Sequence, residues 1–332
     1  MMAVLCEATP QDLFNLPLYE HHLVIDTRRS DDYSRGHIAT AVSLPSPPLE
    51  CPEGDRDRLL VQFIVSYMKE FVRPENPSPI VLYGSSQPEC LKHTEWLANK
   101  LEKLQRERKA IAVIEPSLDA AETTLNEGYN PFKQFCNTVA DRVKEIWILK
   151  GGYEIFCSEY DFLCGHVSFE SMFPLPHQVT SSLFLGSRVV SLNKDILSKL
   201  KITHLIVSLS QKLDWTELQG VSVLQCEVED RNDQDMLPCW RASTLFINEA
   251  LSEGEATIEK ARVRVLVLLH GRSRSTSVVL AYLIKVLKIG FEEAWTMVRS
   301  KCWHLIDRSL VFEKQLKEWE ISETMALNSS LL

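Results

Sequence analysis

The stretch from Val263 to Tyr282, VRVLVLLHGRSRSTSVVLAY, constrains the fold more than any other part of this chain. Val263, Val265 and Val267 form the apolar β-branched run of a buried strand, GRSRS reads as a tight turn, and TSVVLAYLIKVLK has the spacing of an amphipathic helix. A strand, an anion loop and a helix in that order make an α/β unit. The exposed N–H groups at the start of such a helix, added to its dipole, form a site for a doubly charged phosphate group. Arg274 would close that loop with a bidentate guanidinium fork.

The arrangement resembles the signature H-C-x-x-G-x-S-R-S of the dual-specificity protein phosphatases. Anchored on Gly271, Ser273, Arg274 and Ser275, the register puts the family's nucleophilic cysteine six residues before the arginine, at Leu268. The family's preceding histidine falls on Val267, and its small residue two after the cysteine falls on His270. Taking His270 as the signature histidine instead puts Gly271 at the nucleophile and Ser277 at the arginine, so that register fails too. What remains is a degenerate phosphate loop of Leu269, His270, Gly271, Arg272, Ser273, Arg274 and Ser275. The resemblance implies cleavage through a cysteinyl-phosphate, and leucine has no lone pair with which to form one. Loss of a nucleophile costs a hydrolase roughly a million-fold in turnover, or about 8 kcal/mol of barrier. Leu268 would also push methyl groups toward the phosphorus position, so phosphate binding is expected to be weak, about millimolar.

Further segments resemble the same family. VTSSLFLGSRVVSLNKDILSKLKITHLIVSLS matches its opening strand, helix and second buried strand, with Gly186 and Ser187 where the family turns. VLQCEVEDRNDQDMLPCWRASTLFINEAL resembles the acid loop, and Asp230 matches by position the aspartate that protonates the leaving oxygen. A carboxylate among Glu227, Glu229, Asp233 and Asp235 is by default a solvated turn charge, position favours the vestigial acid over that reading, and without a nucleophile such an acid has nothing to protonate. GFEEAWTMVRSK and SLVFEKQLKEWE resemble the closing helices, with Phe312, Leu316 and Trp319 on one face. Asp307 and Arg308 stand where the family carries proline and asparagine, and EGEATIEKARVR, from Glu253 to Arg264, reads as an exposed loop.

The amino-terminal half resembles a rhodanese-like domain. LVIDTRRSDDYSRGHIATAVSLP reads as a buried strand, a helix start and a second strand, with Asp26, Arg28 and His37 candidates for an internal polar network. The strand PIVLYGSS leads to a helix around TEWLANKLEKL. Active rhodaneses place a sulfur-accepting cysteine after such a strand, where this chain has Gly84, so the rhodanese loop is degenerate as well. IWILKGGYEIFCSEYDFLC resembles the end of the rhodanese-like domain of the MAP kinase phosphatases. The expected organisation is α/β in two domains: a rhodanese-like domain over 1–165 with an insertion near 110–145, a linker over 166–178, a dual-specificity phosphatase-like domain over 179–325, and a disordered tail over 326–332. Two domains with both nucleophiles missing resemble the catalytically inactive relatives of the MAP kinase phosphatases. The resemblance implies a regulatory binding protein whose partner is a phosphoprotein, a kinase or an active phosphatase. A purely structural scaffold and a residually active phosphatase are the alternatives.

The MAP kinase phosphatases dock kinases through an arginine cluster, but here Arg56 and Arg58 alternate with acids and no docking motif is evident; Arg28 and Arg29 are weaker candidates. The net charge of −9 argues against a nucleic-acid or anionic-membrane surface. No apolar run reaches membrane-spanning length and MMAVLCEATPQDLF has no basic start, so the expected location is cytoplasmic, with mitochondrial and nuclear pools left open. Nine cysteines, odd in number and without C-x-x-C spacing, fit unpaired thiols of a reducing compartment. Cys136 and Cys302 each have an arginine six residues on, but on probable helices with no glycine between. The histidines, His21 and His22 among them, form no metal spacing, and no nucleotide loop is present, so neither metal nor cofactor is expected.

Overall fold

The computed structural model describes residues 4–16, 23–44, 79–114, 145–165, 175–187, 190, 193–229, 231–256, 263–269, 272–302 and 311–330. The chain divides into two compact α/β units, Met1–Ser171 and Met172–Leu332.

In the first unit the elements run β1 (Val4–Ala8), α1 (Pro10–Asn15), β2 (Leu23–Asp26), α2 (Ser30–Arg35), β3 (Val42–Ser43), β4 (Ile80–Tyr83), α3 (Pro88–Ile114), β5 (Glu145–Leu149) and α4 (Gly152–Glu159). The strands pair in the order β1-β5-β4-β2-β3, parallel throughout. The unbroken apolar runs Leu-Val-Ile and Ile-Val-Leu of β2 and β4 are what strands covered on both faces require, and both are fully buried. Thr9 starts α1 with a capping box: its hydroxyl accepts the Asp12 N–H, and the Asp12 carboxylate accepts the Thr9 N–H.

The second unit runs β6 (His177–Gln178), β7 (Leu183–Ser187), α5 (Lys194–Lys199), β8 (His204–Ser208), β9 (Ser222–Cys226), α6 (Leu237–Ala256), β10 (Val265–Leu269), α7 (Arg272–Leu287), α8 (Phe291–Lys301) and α9 (Glu313–Ser330). Its sheet order is β6-β7-β10-β8-β9, parallel except for the β6–β7 pair. The strand read from Val263, Val265 and Val267 is therefore the central one, and α7 leaves its carboxyl end, the place where open α/β sheets put their ligand sites.

Helix α7 is not amphipathic as its spacing suggests. Residues 274–284 are buried without interruption, because α6, α8 and α9 pack around it while β10 lies beneath. Small hydroxyl side chains make that burial possible. Ser277 donates to the Arg274 carbonyl at 2.6 Å and accepts the Trp240 indole N–H at 3.0 Å. The Trp319 indole donates to the Ala281 carbonyl at 3.1 Å and meets Trp240 edge-on. Leu316 and Trp319 of α9 and Phe312 just ahead of it are buried in one core cluster, each contributing about 1.5 to 3 kcal/mol.

Other boundaries move. His177 and Gln178, placed in the linker from sequence, form a strand of the second sheet. Helix α3 extends to Ile114, into the expected insertion, and α9 extends to Ser330, into the expected tail. The exposed loop read over Glu253 to Arg264 is helical to Ala256, and Arg264 is buried, its guanidinium donating to the Leu200 carbonyl at 3.0 Å. Gly186 and Ser187 lie within β7, not at a turn. A Cβ at Gly186 would sit 2.9 Å from Pro176 and 3.1 Å from Leu266, so close packing requires the glycine. The cysteines are not all unpaired, since Cys157 and Cys164 are joined by a disulfide; a seven-residue separation carries no recognisable spacing in the sequence. Among the described residues, no helix is long and apolar enough to cross a membrane, and no cluster of acids, histidines and cysteines could hold a metal ion.

Candidate functional site

Most of the segment read from the sequence as a phosphate loop, Leu269 to Ser275, belongs to a strand and a helix. Strand β10 continues through Leu269 and helix α7 begins at Arg272, so RSRS is the first helical turn and only His270 and Gly271, outside the described residues, connect the two. Leu268 is a sheet residue, in register with Gly186 on β7 and Val207 on β8; Leu269 is in register with Ser187.

Arg274 is 3% exposed and its guanidinium donates to the Val228 carbonyl at 3.1 Å. Val228 lies two residues before Asp230, which is itself outside the described residues. The loop arginine is thus fastened beneath the acid segment. Ser275 is fully buried, and Ser273 accepts the Val311 N–H at 3.1 Å, which ties the first turn of α7 to the start of α9.

The acid segment is braced internally. Gln315 of α9 accepts the Met236 N–H at 3.1 Å and donates to the Gln234 carbonyl at 2.8 Å. Gln234 in turn accepts the Glu229 N–H at 3.0 Å. Arg231 forks onto Asp233 at 3.0 and 2.7 Å and lies 3.6 Å from Glu229. Its hydrogen bonds hold the Asp233 carboxyl below the usual carboxylate range. Asp235 accepts the Leu237 N–H at 3.0 Å. The side chains of Glu229, Asp233 and Asp235 are exposed, and Asp230 between them lies outside the described residues.

The described thiols of this unit are poor substitutes for a nucleophile at Leu268. Cys226 ends β9, and β8 lies between that strand and β10. Cys239 shares the Ser243 hydroxyl with Cys226, at 3.8 and 3.6 Å, and the hydrogen bond between the two thiols together with burial lifts Cys239 well above the ordinary thiol range. Cys302 lies at the end of α8, fully buried, and burial pushes its thiol up to about 12. Cys136 lies outside the described residues.

In the first unit the polar network forms around Asp26. Arg28 reaches both carboxylate oxygens and donates to the Gly36 carbonyl, while its guanidinium stacks 3.6 Å over the Tyr153 ring. Tyr83 donates to Asp26 at 2.8 Å and accepts the Ile38 N–H at 3.1 Å. Burial, then the Asp26 charge, push the Tyr83 hydroxyl well above 10. His37 stands beside this network, stacked on Tyr33 with Nδ1 3.2 Å from the Tyr33 carbonyl. Arg28 is buried and structural, Arg29 is exposed, and Arg56, Arg58, His21 and His22 lie outside the described residues.

The segment that follows β4, read from the sequence as a rhodanese loop, packs closely around Gly84. A Cβ on Gly84 would stand 2.7 Å from Cys90 Sγ, 2.7 Å from Thr94 Oγ1 and 3.2 Å from Thr27 Oγ1. Cys90 Sγ accepts the Ser85 N–H at 3.2 Å and lies 3.8 Å from the Thr27 carbonyl, and the Thr27 and Thr94 hydroxyls meet at 2.7 Å. The Gly84 carbonyl accepts the Tyr153 N–H at 2.9 Å. Sequence reasoning missed Cys90, Thr94 and Thr27 here. The only signal was Cys90 and Thr94 one turn apart at the start of a helix, too common a pattern to single out.

Comparison with known proteins agrees with this division. Residues 183–322 match the dual specificity phosphatase catalytic domain, and residues 11–159 match the rhodanese-like domain. A probable rhodanese domain-containing dual specificity protein phosphatase of Dictyostelium discoideum is 24% identical over 96% of this chain and 70% of its own length. Dual specificity protein phosphatase 1B of Arabidopsis thaliana is 31% identical over 44% of this chain and 81% of its own length. The crystal structure of human tyrosine phosphatase-like serine/threonine/tyrosine-interacting protein is also similar, at 23% identity and a TM-score of 0.39, covering 45% of this chain and 97% of that one. The chain belongs to the dual-specificity phosphatase family and carries a rhodanese-like domain ahead of the phosphatase domain.

Proposed function

We propose that this chain is a catalytically inactive pseudophosphatase, a regulatory binding protein in phosphorylation signalling. One observation carries the reading: leucine stands at position 268, six residues before Arg274, where the family's chemistry needs a thiolate. The dispositions of Cys226, Cys239 and Cys302 support it: their surroundings push the Cys239 and Cys302 thiols up, and Cys226, which its bond to Cys239 lowers to about 7, stands on β9 with β8 between it and β10. A leucine ahead of an otherwise anion-binding helix start removes the covalent step and leaves a face that can occupy or tether a phosphoprotein, a kinase or an active phosphatase.

A second reading, a scaffold with no phosphate binding, is favoured by Arg274 itself. Arg274 is 3% exposed and one of its guanidinium nitrogens is committed to the Val228 carbonyl, so a phosphate must reach the remaining N–H donors through a nearly closed surface. The test is capture of phosphotyrosine and phosphothreonine peptides from an array, beside an Arg274→Ala variant, with hydrolysis followed on the same samples. Phospho-dependent capture lost with Arg274 and no hydrolysis would support the phosphate-reading pseudophosphatase. No capture would move the binding role to the domain surfaces, and hydrolysis lost with Arg274 would overturn both readings.

A further inference from the structure

We infer that Cys157 and Cys164 form a thiol-redox modification site that controls how tightly the last described segment of the rhodanese-like unit is fastened. The inference is independent of the phosphatase reading. Cys157 lies on α4, and Cys164 follows the single 3-10 turn of Asp161–Leu163; their sulfurs are bonded and their Cα atoms are 5.9 Å apart. Both residues are only partly buried, which leaves the bond within reach of a small thiol.

The position of Cys164 makes the bond consequential. Cys164 forms an antiparallel bridge with Ile38, flanked by two short hydrogen bonds: Ala39 N–H to the Leu163 carbonyl and Gly165 N–H to the His37 carbonyl, both at 2.8 Å. Leu163, Tyr160 and Phe156 are fully buried, and Tyr160 stacks on Phe14 at 4.5 Å. These apolar anchors do not depend on sulfur chemistry. Opening the disulfide therefore leaves the unit folded and releases only the tether between α4 and Cys164, so that Cys164 and Gly165 are held at the turn around His37 by backbone pairing alone.

The chemistry needs an oxidised low-molecular-weight disulfide such as glutathione disulfide. The thiolate of one cysteine attacks a sulfur of that disulfide, forms a mixed disulfide and expels one glutathione thiolate. The second cysteine then attacks the protein-bound sulfur and expels the other. Two protein thiols become one disulfide, and one glutathione disulfide becomes two glutathiones; the reverse exchange opens the bond.

The experiment equilibrates the full chain across a series of glutathione to glutathione disulfide ratios. It is then quenched in acid, free thiols are alkylated, and cysteine occupancy is read by mass spectrometry, with amide hydrogen exchange followed in parallel. The expected result is that Cys157 and Cys164 change state together. Exchange at Ala39 and Gly165 should speed up by about fivefold or more in the reduced form while that of Val24 and Ile25 does not change. A Cys157→Ser variant should show the fast exchange in oxidising buffer; if it does not fold, reduced wild-type protein supplies the same comparison. Alkylation of either thiol at every ratio, persistence of the bond at every ratio, or equal exchange at Ala39 and Gly165 in both forms would overturn the inference.

Discussion

Gly84→Cys, which puts a thiol where the sequence reading places the sulfur-accepting cysteine of active rhodaneses, should damage the rhodanese-like unit, not activate it. The new Cβ would arrive 2.7 Å from both Cys90 Sγ and Thr94 Oγ1, about 1 Å inside ordinary contact distance. If the neighbours yield, Cys90 loses the Ser85 N–H and Thr94 loses Thr27, at about 1 kcal/mol for each hydrogen bond. If they stay, the overpacking itself costs about 1 to 3 kcal/mol. The two routes bracket a loss of about 1 to 3 kcal/mol. In a Cys90→Ala, Thr94→Ala background both obstructing atoms are gone, and the same substitution should cost about 1 kcal/mol or less, a coupling of about 1 to 2 kcal/mol. The assay is urea unfolding of the four proteins in the cycle, with sulfur transfer from thiosulfate to cyanide followed alongside. An equal cost of Gly84→Cys in both backgrounds, or sulfur transfer by the single variant, would refute the view that Cys90 and Thr94 pack closely around Gly84.

Other substitutions bear on the same framework. Gly152→Ala should destabilise the first unit by about 2 to 4 kcal/mol, because φ is +61° and a Cβ would fall on the Gly84 carbonyl oxygen; urea unfolding reads this, and a loss under about 0.5 kcal/mol would count against it. Tyr83→Phe should cost about 1 to 3 kcal/mol, since it leaves the buried Ile38 N–H without its phenol acceptor. The same group sets a pH dependence. Its folded pKa lies above its unfolded value near 10, so the folded protein holds the proton longer and stability falls as pH rises; the loss is up to about 1.4 kcal/mol per pH unit once pH passes about 10. The slope should be shallower in Tyr83→Phe, and an unchanged slope would assign it elsewhere. Trp240→Phe removes the indole donor to Ser277 and should cost about 1 to 2 kcal/mol in thermal or urea unfolding of the second unit.

Much of this fold is legible in the sequence because burial on both faces leaves unbroken apolar runs. Strands β2, β4, β8 and β10 could be read that way, as could the common burial of Phe312, Leu316 and Trp319. What escaped reading depends on long-range partners. Ser277 of α7 looks like part of a solvent face until the Trp240 indole and the Arg274 carbonyl are seen to satisfy it. Arg264 looks exposed until the Leu200 carbonyl takes up its guanidinium. Cys90 and Thr94 meet Thr27 and Gly84 only after β2 and β4 pair, and Cys157 meets Cys164 only after the chain turns at Asp161–Leu163. The closing of RSRS into the first turn of α7 likewise follows from the packing around that helix, which its local composition does not reveal.

The central claim is that Leu268 removes the chemistry of a dual-specificity phosphatase, and hydrolysis of an activated aryl phosphate tests it most directly. Wild-type protein and Arg274→Ala would be compared with Leu268→Cys, Val267→His, His270→Ala combined in one chain. The account predicts that wild type and Arg274→Ala are equally silent, about a million-fold below an intact family member. Turnover by the wild type that disappears in Arg274→Ala would contradict it.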